Sequence, residues 1–146
     1  MQFAKIVDVD EGFLNSLWQK VENSGSFYSI GDGVTREHFD RVFYESSLVF
    51  ELEDGIARFE VNPSYVEVHV LVFGHKFFRL AKQALAEIYE MASSIFRDKE
   101  IRCIIPDRMR GFKRLALAAG MTPRGFVDRM LSGIPIRCAV FSWRAK

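Results

Sequence analysis

The sequence predicts an α+β fold: a mixed, mostly antiparallel central sheet of six to seven strands with helices on both faces. Three observations carry that reading. Two alternating apolar stretches flank the turn signal Asp54-Gly55, and a third follows at Tyr65. The period then changes from two to helical at Phe77. An apolar strand closed by Pro106 comes next, then a short basic helix and two more strands. A strand–helix–strand unit within a hairpin-connected chain gives one parallel pair in an otherwise antiparallel sheet.

Taken in order, Gln2 to Val9 alternates weakly and can form a first strand. Asp8 or Asp10 can cap a helix with Phe13, Leu14, Leu17, Trp18 and Val21 on its inner face. Asn23-Ser-Gly25 ends it. Phe27 and Tyr28 follow in a Ser/Gly-rich loop, where two large rings either plug a core edge or line a pocket. Thr35 can cap a short helix with Phe39, Val42 and Phe43 inward, and His38 reads as an exposed residue on it. Leu48–Leu52, Ile56–Val61 and Tyr65–Val72 make an antiparallel meander, with a second turn at Asn62-Pro63-Ser64.

In the third strand Val66, Val68, Val70 and Val72 share one face. Phe73-Gly74-His75-Lys76 breaks the pattern. The helix from Phe77 carries Ala81, Ala84, Leu85, Ile88, Ala92 and Ile95 on its apolar side, so Phe77, Ile88 and Ile95 are expected in the core. Ile101–Ile105 is the next strand, and its parallel partner is expected at Tyr65–Val72. A basic helix over about 108–119 ends at Gly120, where a left-handed residue belongs. Gly125–Leu131 and Ile134–Trp143 are the closing strands, joined at Ser132-Gly133.

A chain of 146 residues with 14 Phe fits one domain, residues 1–146, with one ample core. No apolar run approaches a membrane span, and Met1-Gln-Phe-Ala-Lys lacks a signal peptide's charged start and apolar block. The expectation is a cytoplasmic protein with no membrane partner. Cys103 and Cys138 lie in strands without metal-type spacing, as reduced core residues do. Net charge is +1, yet residues 1–73 hold 5 Lys+Arg against 13 Asp+Glu, and residues 74–146 hold 15 against 6. The halves therefore carry −8 and +9. Either they pair with each other, or the basic half faces an anion such as a phosphorylated cofactor, nucleic acid or an acidic partner.

The order of elements, with Arg108-Met-Arg-Gly-Phe-Lys-Arg-Leu-Ala-Leu-Ala-Ala-Gly120-Met121 before a strand, resembles the GNAT (Gcn5-related N-acetyltransferase) superfamily, in particular its phage-encoded members. The resemblance covers nearly the whole chain. It implies acetyl-coenzyme A as cofactor. The pantetheine arm would pair with splayed backbone at Val70, Leu71 and Val72, with strands parting after Val70. The pyrophosphate would sit at Gly74, His75, Lys76 and Arg79, where a helix N-terminus offers N–H groups and partial positive charge. The family's pyrophosphate loop reads Arg/Gln-x-x-Gly-x-Gly/Ala. Here one glycine, Gly74, precedes His-Lys-Phe-Phe-Arg, so bulky Phe77 and Phe78 stand where small residues are usual. The family's tyrosine acid corresponds to Ala116, and Asp107-Arg108-Met109 replaces the asparagine that opens that helix.

Glu67 and His69 share a strand face and are the candidate general base for an amine, unless that face is merely half solvated. Phe27 and Tyr28 are candidates for the acceptor pocket. Arg108, Arg110, Lys113 and Arg114 form a basic cluster that fits a solvated face or a coenzyme A 3′-phosphate. Without a stacking array or a named motif, nucleic acid is not expected as partner. Tyr44, Tyr65 and Tyr89 could each donate a proton, and spacing selects none. Two functions follow. One is acetyl transfer from acetyl-coenzyme A to a small-molecule or peptide amine acceptor. The alternative is a non-catalytic, virion-associated phage protein, of the head-completion or DNA-ejection kind, docking to other virion proteins in host cytoplasm or virion. No metal site is expected.

Overall fold

The computed structural model describes residues 1–24, 34–131 and 133–143. Phe27 and Tyr28 lie outside the described residues. The elements are β1 (Ala4–Ile6), α1 (Glu11–Ser24), α2 (Arg36–Tyr44), β2 (Leu48–Leu52), β3 (Gly55–Val61), β4 (Tyr65–Val72), α3 (Phe77–Ile95), β5 (Glu100–Pro106), α4 (Arg110–Ala118), β6 (Thr122–Leu131) and β7 (Ile134–Trp143). One seven-stranded sheet runs β1-β2-β3-β4-β5-β7-β6. β4 and β5 are its parallel pair, and the other neighbours are antiparallel.

The first two helices begin as the local chemistry asks. Asp10 Oδ1 accepts from Phe13 N at 2.8 Å at the start of α1, and Thr35 Oγ1 accepts from His38 N at 3.1 Å at the start of α2. Between α1, α2 and one sheet face Leu14, Leu17, Val21, Phe39, Phe43, Val49, Ile56 and Leu71 form a core. The other face packs Phe50, Phe59, Val66, Val68, Ile101 and Phe141 against α3 and α4. Glycine at 120 has φ +104, the left-handed ending that the sequence implies.

Four expectations need correction, the last of them at the parallel seam. Ile95 is 49% exposed, and Phe96 instead turns to the core, its ring 6.2 Å from that of Phe59. Helix α3 ends at Ile95, so the residue after it is no longer bound to the helical period. The hairpin turn comprises Glu53 and Asp54, with Gly55 already paired to Leu52 in β3. Asp54 takes the left-handed conformation at φ 53, which Asp tolerates. β6 begins at Thr122, and a register shift between Pro123 and Gly125 absorbs the proline in this edge strand.

The parallel seam fixes the site. Pairing runs from Tyr65↔Glu100 to Val68↔Cys103 and stops. β4 continues along β3 to Val72↔Gly55, and β5 continues along β7 to Pro106↔Cys138. The strands therefore part after Val68, two residues earlier than expected. Each keeps its antiparallel partner, and the weaker parallel ladder opens. Among the described residues no helix is long and apolar enough to cross a membrane.

Phe77, 1% exposed, lies over Gly55, where an added Cβ would come 2.6 Å from its ring. The ring has no free space to retreat into, and Leu71 O lies 3.2 Å from the same point. Gly55→Ala is therefore expected to lower stability by about 1–3 kcal/mol, read as a lower urea midpoint with an unchanged slope.

Candidate functional site

Where β4 and β5 diverge, a cavity of about 350 Å³ opens between them and reaches both faces of the sheet. On the α2 side it is lined by Arg58, Glu67, His69, Arg129 and, at its mouth, His38. On the α3–α4 side it meets Val68, Val70, Tyr89, Cys103, Phe112 and Ala116. One end is thus ionic and the other mostly apolar.

The ionic end follows from strand register. Arg58 stands opposite His69, and Glu60 opposite Glu67. Two carboxylates directly opposed would repel, so cations must intervene. His69 Nε2 lies 2.9 Å from Glu67 Oε2 and 3.4 Å from Glu60 Oε2. The contact is close but poorly angled, an ion-pair contact in which Nε2 completes no well-formed hydrogen bond. Arg58 Nη1 reaches Glu60 Oε2 at 3.3 Å. Burial lowers the Arg58 pKa in spite of the nearby Glu60 and Glu67 carboxylates. Arg129, from β6, grips Glu67 with both terminal nitrogens, Nη1 to Oε2 at 2.8 Å and Nη2 to Oε1 at 2.5 Å.

Glu67 is 4% exposed and His69 keeps 32% of its side chain exposed, so of the two only Glu67 is withdrawn from solvent. Burial alone would raise its pKa, but contact with His69 and Arg129 and their charges outweigh that and bring it down to about 2. At neutral pH it is a fixed anion and a weak base.

At the other end Tyr89 is 1% exposed and makes no hydrogen bond to the described residues. Burial first, then the neighbouring Cys103, pushes its pKa well above the usual phenol value. Cys103 is itself pushed up to about 12, by burial and then by Glu67. Both cysteines are free and buried. A thiol held protonated is a poor nucleophile.

The structure brings Glu67, His69 and Val70 together at the cavity. Leu71 and Val72 continue β4 beyond the end of its pairing with β5, their backbones laddered to β3 only. Leu71 points its side chain into the α1–α2 core, and Val72 packs on the other face. Gly74, His75, Lys76 and Arg79 form the turn into α3, with the last three exposed. Neither Phe77 nor Phe78 enters the opening. Phe77 turns onto Gly55, while Phe78 is 53% exposed and stacks 5.7 Å from Phe112. In the basic cluster Arg108, Arg110 and Arg114 are exposed, and Lys113 Nζ bonds Asp107 Oδ1 at 2.7 Å.

Sequence reasoning missed Arg129, 62 residues from Glu67, because no local pattern links an edge strand to a central one. It listed Tyr89 without selecting it. The helical period could have done so, since Tyr89 is four residues after Leu85 and three before Ala92 on the buried stripe.

No family model matches the chain, and no curated protein matches it by sequence. Solved structures do match. Spermidine N-acetyltransferase from Vibrio cholerae, solved with CoA and spermine, superposes with TM-score 0.75 at 10% identity, covering 98% of this chain and 96% of that one. The chain has the GNAT fold. A GNAT-family acetyltransferase from Bacillus anthracis gives TM-score 0.75 at 12% identity over 97% of this chain and 95% of that one. An acetyl transferase from Salmonella typhimurium that modifies the N-terminal serine of ribosomal protein L7/L12 gives 0.70 at 11% over 100% and 97%. At identities this low the superpositions show the fold alone, the α+β sheet expected from the sequence.

The Glu67 ion pair has a pH signature. A carboxylate whose folded pKa is depressed stabilises the fold above its unfolded value and loses that contribution as pH falls. Folding stability is expected to fall between about pH 4.5 and pH 2. Glu67→Gln should flatten that limb and cost about 1–3 kcal/mol at pH 7 by leaving Arg129 short of its partner, as measured by urea unfolding across pH.

Proposed function

We propose that the chain transfers an acyl group from a pantetheine thioester, of which acetyl-coenzyme A is the common form, to an amine by direct attack inside the opening between β4 and β5. The observation that carries this reading is the cavity itself, which passes between two parted strands with proton-handling groups at both ends. Bound acetyl-coenzyme A supplies an acyl carbonyl activated as a thioester. The backbone of Val70, Leu71 and Val72, with no β5 partner, would hold the pantetheine arm by strand-like hydrogen bonds. Gly74, His75, Lys76 and Arg79 lie beyond the arm, at the turn into α3 where the family resemblance implies the pyrophosphate.

The amine enters from the α2 side in its neutral form, where Arg58 and Arg129 already pair with Glu60 and Glu67 and His69 is the remaining base. His69 accepts its proton. Glu67, an anion throughout, lies 2.9 Å from His69 Nε2 on the same strand face. Arg129 keeps Glu67 from taking the proton itself. On the opposite side Tyr89 holds a proton at Oη, in the cavity wall shared with Ala116. It reaches the cavity from α3, where α4 carries Ala116 and no tyrosine. Cys103, kept as a thiol, takes no acyl group, which fits direct transfer.

The alternative, a virion-associated phage protein without activity, draws on the altered cofactor loop with Phe77 and Phe78, on Ala116 in place of the tyrosine acid, and on the charge asymmetry. Neither ring lines the opening, which leaves room for the transferase reading.

Thiol release from S-acetylpantetheine and acetyl-coenzyme A with a panel of polyamines, small amines and peptide N-termini tests the proposal. Activity is expected in the wild type. His69→Ala should lower kcat by about 10²-fold or more, and Tyr89→Phe by about tenfold with KM little changed. Absence of thiol release from either donor with every acceptor would overturn it.

A further inference from the structure

We infer that Asp54 occupies, as a built-in anion, the place at the tip of α3 that a pyrophosphate would need, so that the donor is gripped by its pantetheine arm and not by its nucleotide. This rests on the transferase reading and specifies the donor class for the same site.

The accounting of backbone donors makes the case. Between Phe73 and Arg79, four N–H groups are already committed within the chain. Phe73 N donates to Asp54 O at 3.0 Å, Phe77 N to Gly74 O at 3.3 Å and Arg79 N to Lys76 O at 3.1 Å. Lys76 N donates to the Asp54 carboxylate, at 3.1 Å from Oδ2. A pyrophosphate cradle needs these groups vacant and converging. Here a carboxylate stands among them, and it also satisfies the helix dipole.

Asp54 is firmly set. Its left-handed backbone closes the β2–β3 hairpin. Gly74 packs directly on its carboxylate, where any side chain at 74 would collide. The single glycine of this turn therefore makes room for Asp54, and the bare backbone it leaves is covered by that carboxylate. The open depression beside Asp54 holds Glu51 and Glu53 together with Lys5 and Lys20, so the anion that faces the turn is the Asp54 carboxylate itself. A diphosphate brought here would meet that carboxylate, with the N–H of Lys76 already taken. The arm groove is untouched: β4 beyond Val68 still has no β5 partner, and the cavity is open. The fitting donor is a pantetheine thioester, either free of a nucleotide or carrying one that stays in solvent.

Calorimetric titration of the intact chain with coenzyme A, pantetheine and a phosphopantetheinylated carrier protein tests this. The wild type should bind coenzyme A and pantetheine within about threefold of each other, since the nucleotide adds no contact. Asp54→Asn keeps an oxygen acceptor and tolerance of the left-handed backbone while removing the charge. It should tighten coenzyme A by about tenfold or more and leave pantetheine unchanged. A carrier-protein affinity above that of pantetheine assigns the donor to a carrier, and equality assigns it to the free thioester; either agrees with the inference. Wild-type preference for coenzyme A over pantetheine beyond about tenfold would overturn it. So would an Asp54→Asn ratio unchanged from wild type. If neither protein binds any ligand, the transferase reading fails, and the donor assignment with it. If only Asp54→Asn binds coenzyme A, the blocking role of Asp54 stands by itself.

Discussion

The structure depends on one unequal competition between strand pairings. β4 has an antiparallel partner along its whole length in β3, and β5 has one in β7. The parallel ladder between them is short, four residue pairs from Tyr65↔Glu100 to Val68↔Cys103. A right-twisting sheet puts strain on its weakest seam, and this seam is also the one made through a helical crossover. Opening there sacrifices few hydrogen bonds. The two halves, β1-β2-β3-β4 and β5-β7-β6, then diverge beyond Val68 and Cys103.

An opening in a sheet exposes both faces at once, which is why this cavity has two chemical characters. The α2 face brings Arg58, Glu60, Glu67 and His69 together by register alone, and β6 adds Arg129 from the far half. That last contact ties the two halves across the gap with a charged fork instead of a ladder. Burying such a pair costs desolvation on both sides and repays it only with good geometry, so its worth is more in orientation than in stability. The α3–α4 face brings aliphatic walls, a thiol and a phenol. Polar groups there are few and held in their neutral forms by burial.

Much of this was legible in the sequence. The meander, the helix from Phe77 and the crossover to Ile101 all follow from period changes and turn residues, because those depend on neighbours in the chain. Glu67 and His69 were legible as a pair, since alternate residues of a strand must share a face. What could not be read was the contact set by tertiary pairing. Arg129 reaches Glu67 only because β6 lies outside β7 and bends at the Pro123–Gly125 irregularity. The parting point fell at Val68 because β5 follows β7, a choice no local pattern encodes. Ile95 looked like core by spacing, yet the helix ended there and Phe96 took the inward position. Asp54 was read as a turn residue and is one. Its second role needs the hairpin folded back over the tip of α3.

That fold-back joins two elements that would otherwise loosen independently. The same turn supplies the Asp54 carboxylate to Lys76 N and the bare surface of Gly55 to the Phe77 ring. The first turn of a helix ordinarily frays, and its amides exchange with solvent quickly. Here fraying would have to lift Phe77 out of a fully packed site and pull on the β2–β3 hairpin. The amide of Lys76 is therefore a reporter on the cooperativity of the sheet, with exchange set by the opening of the hairpin and not by the end of the helix on which it sits.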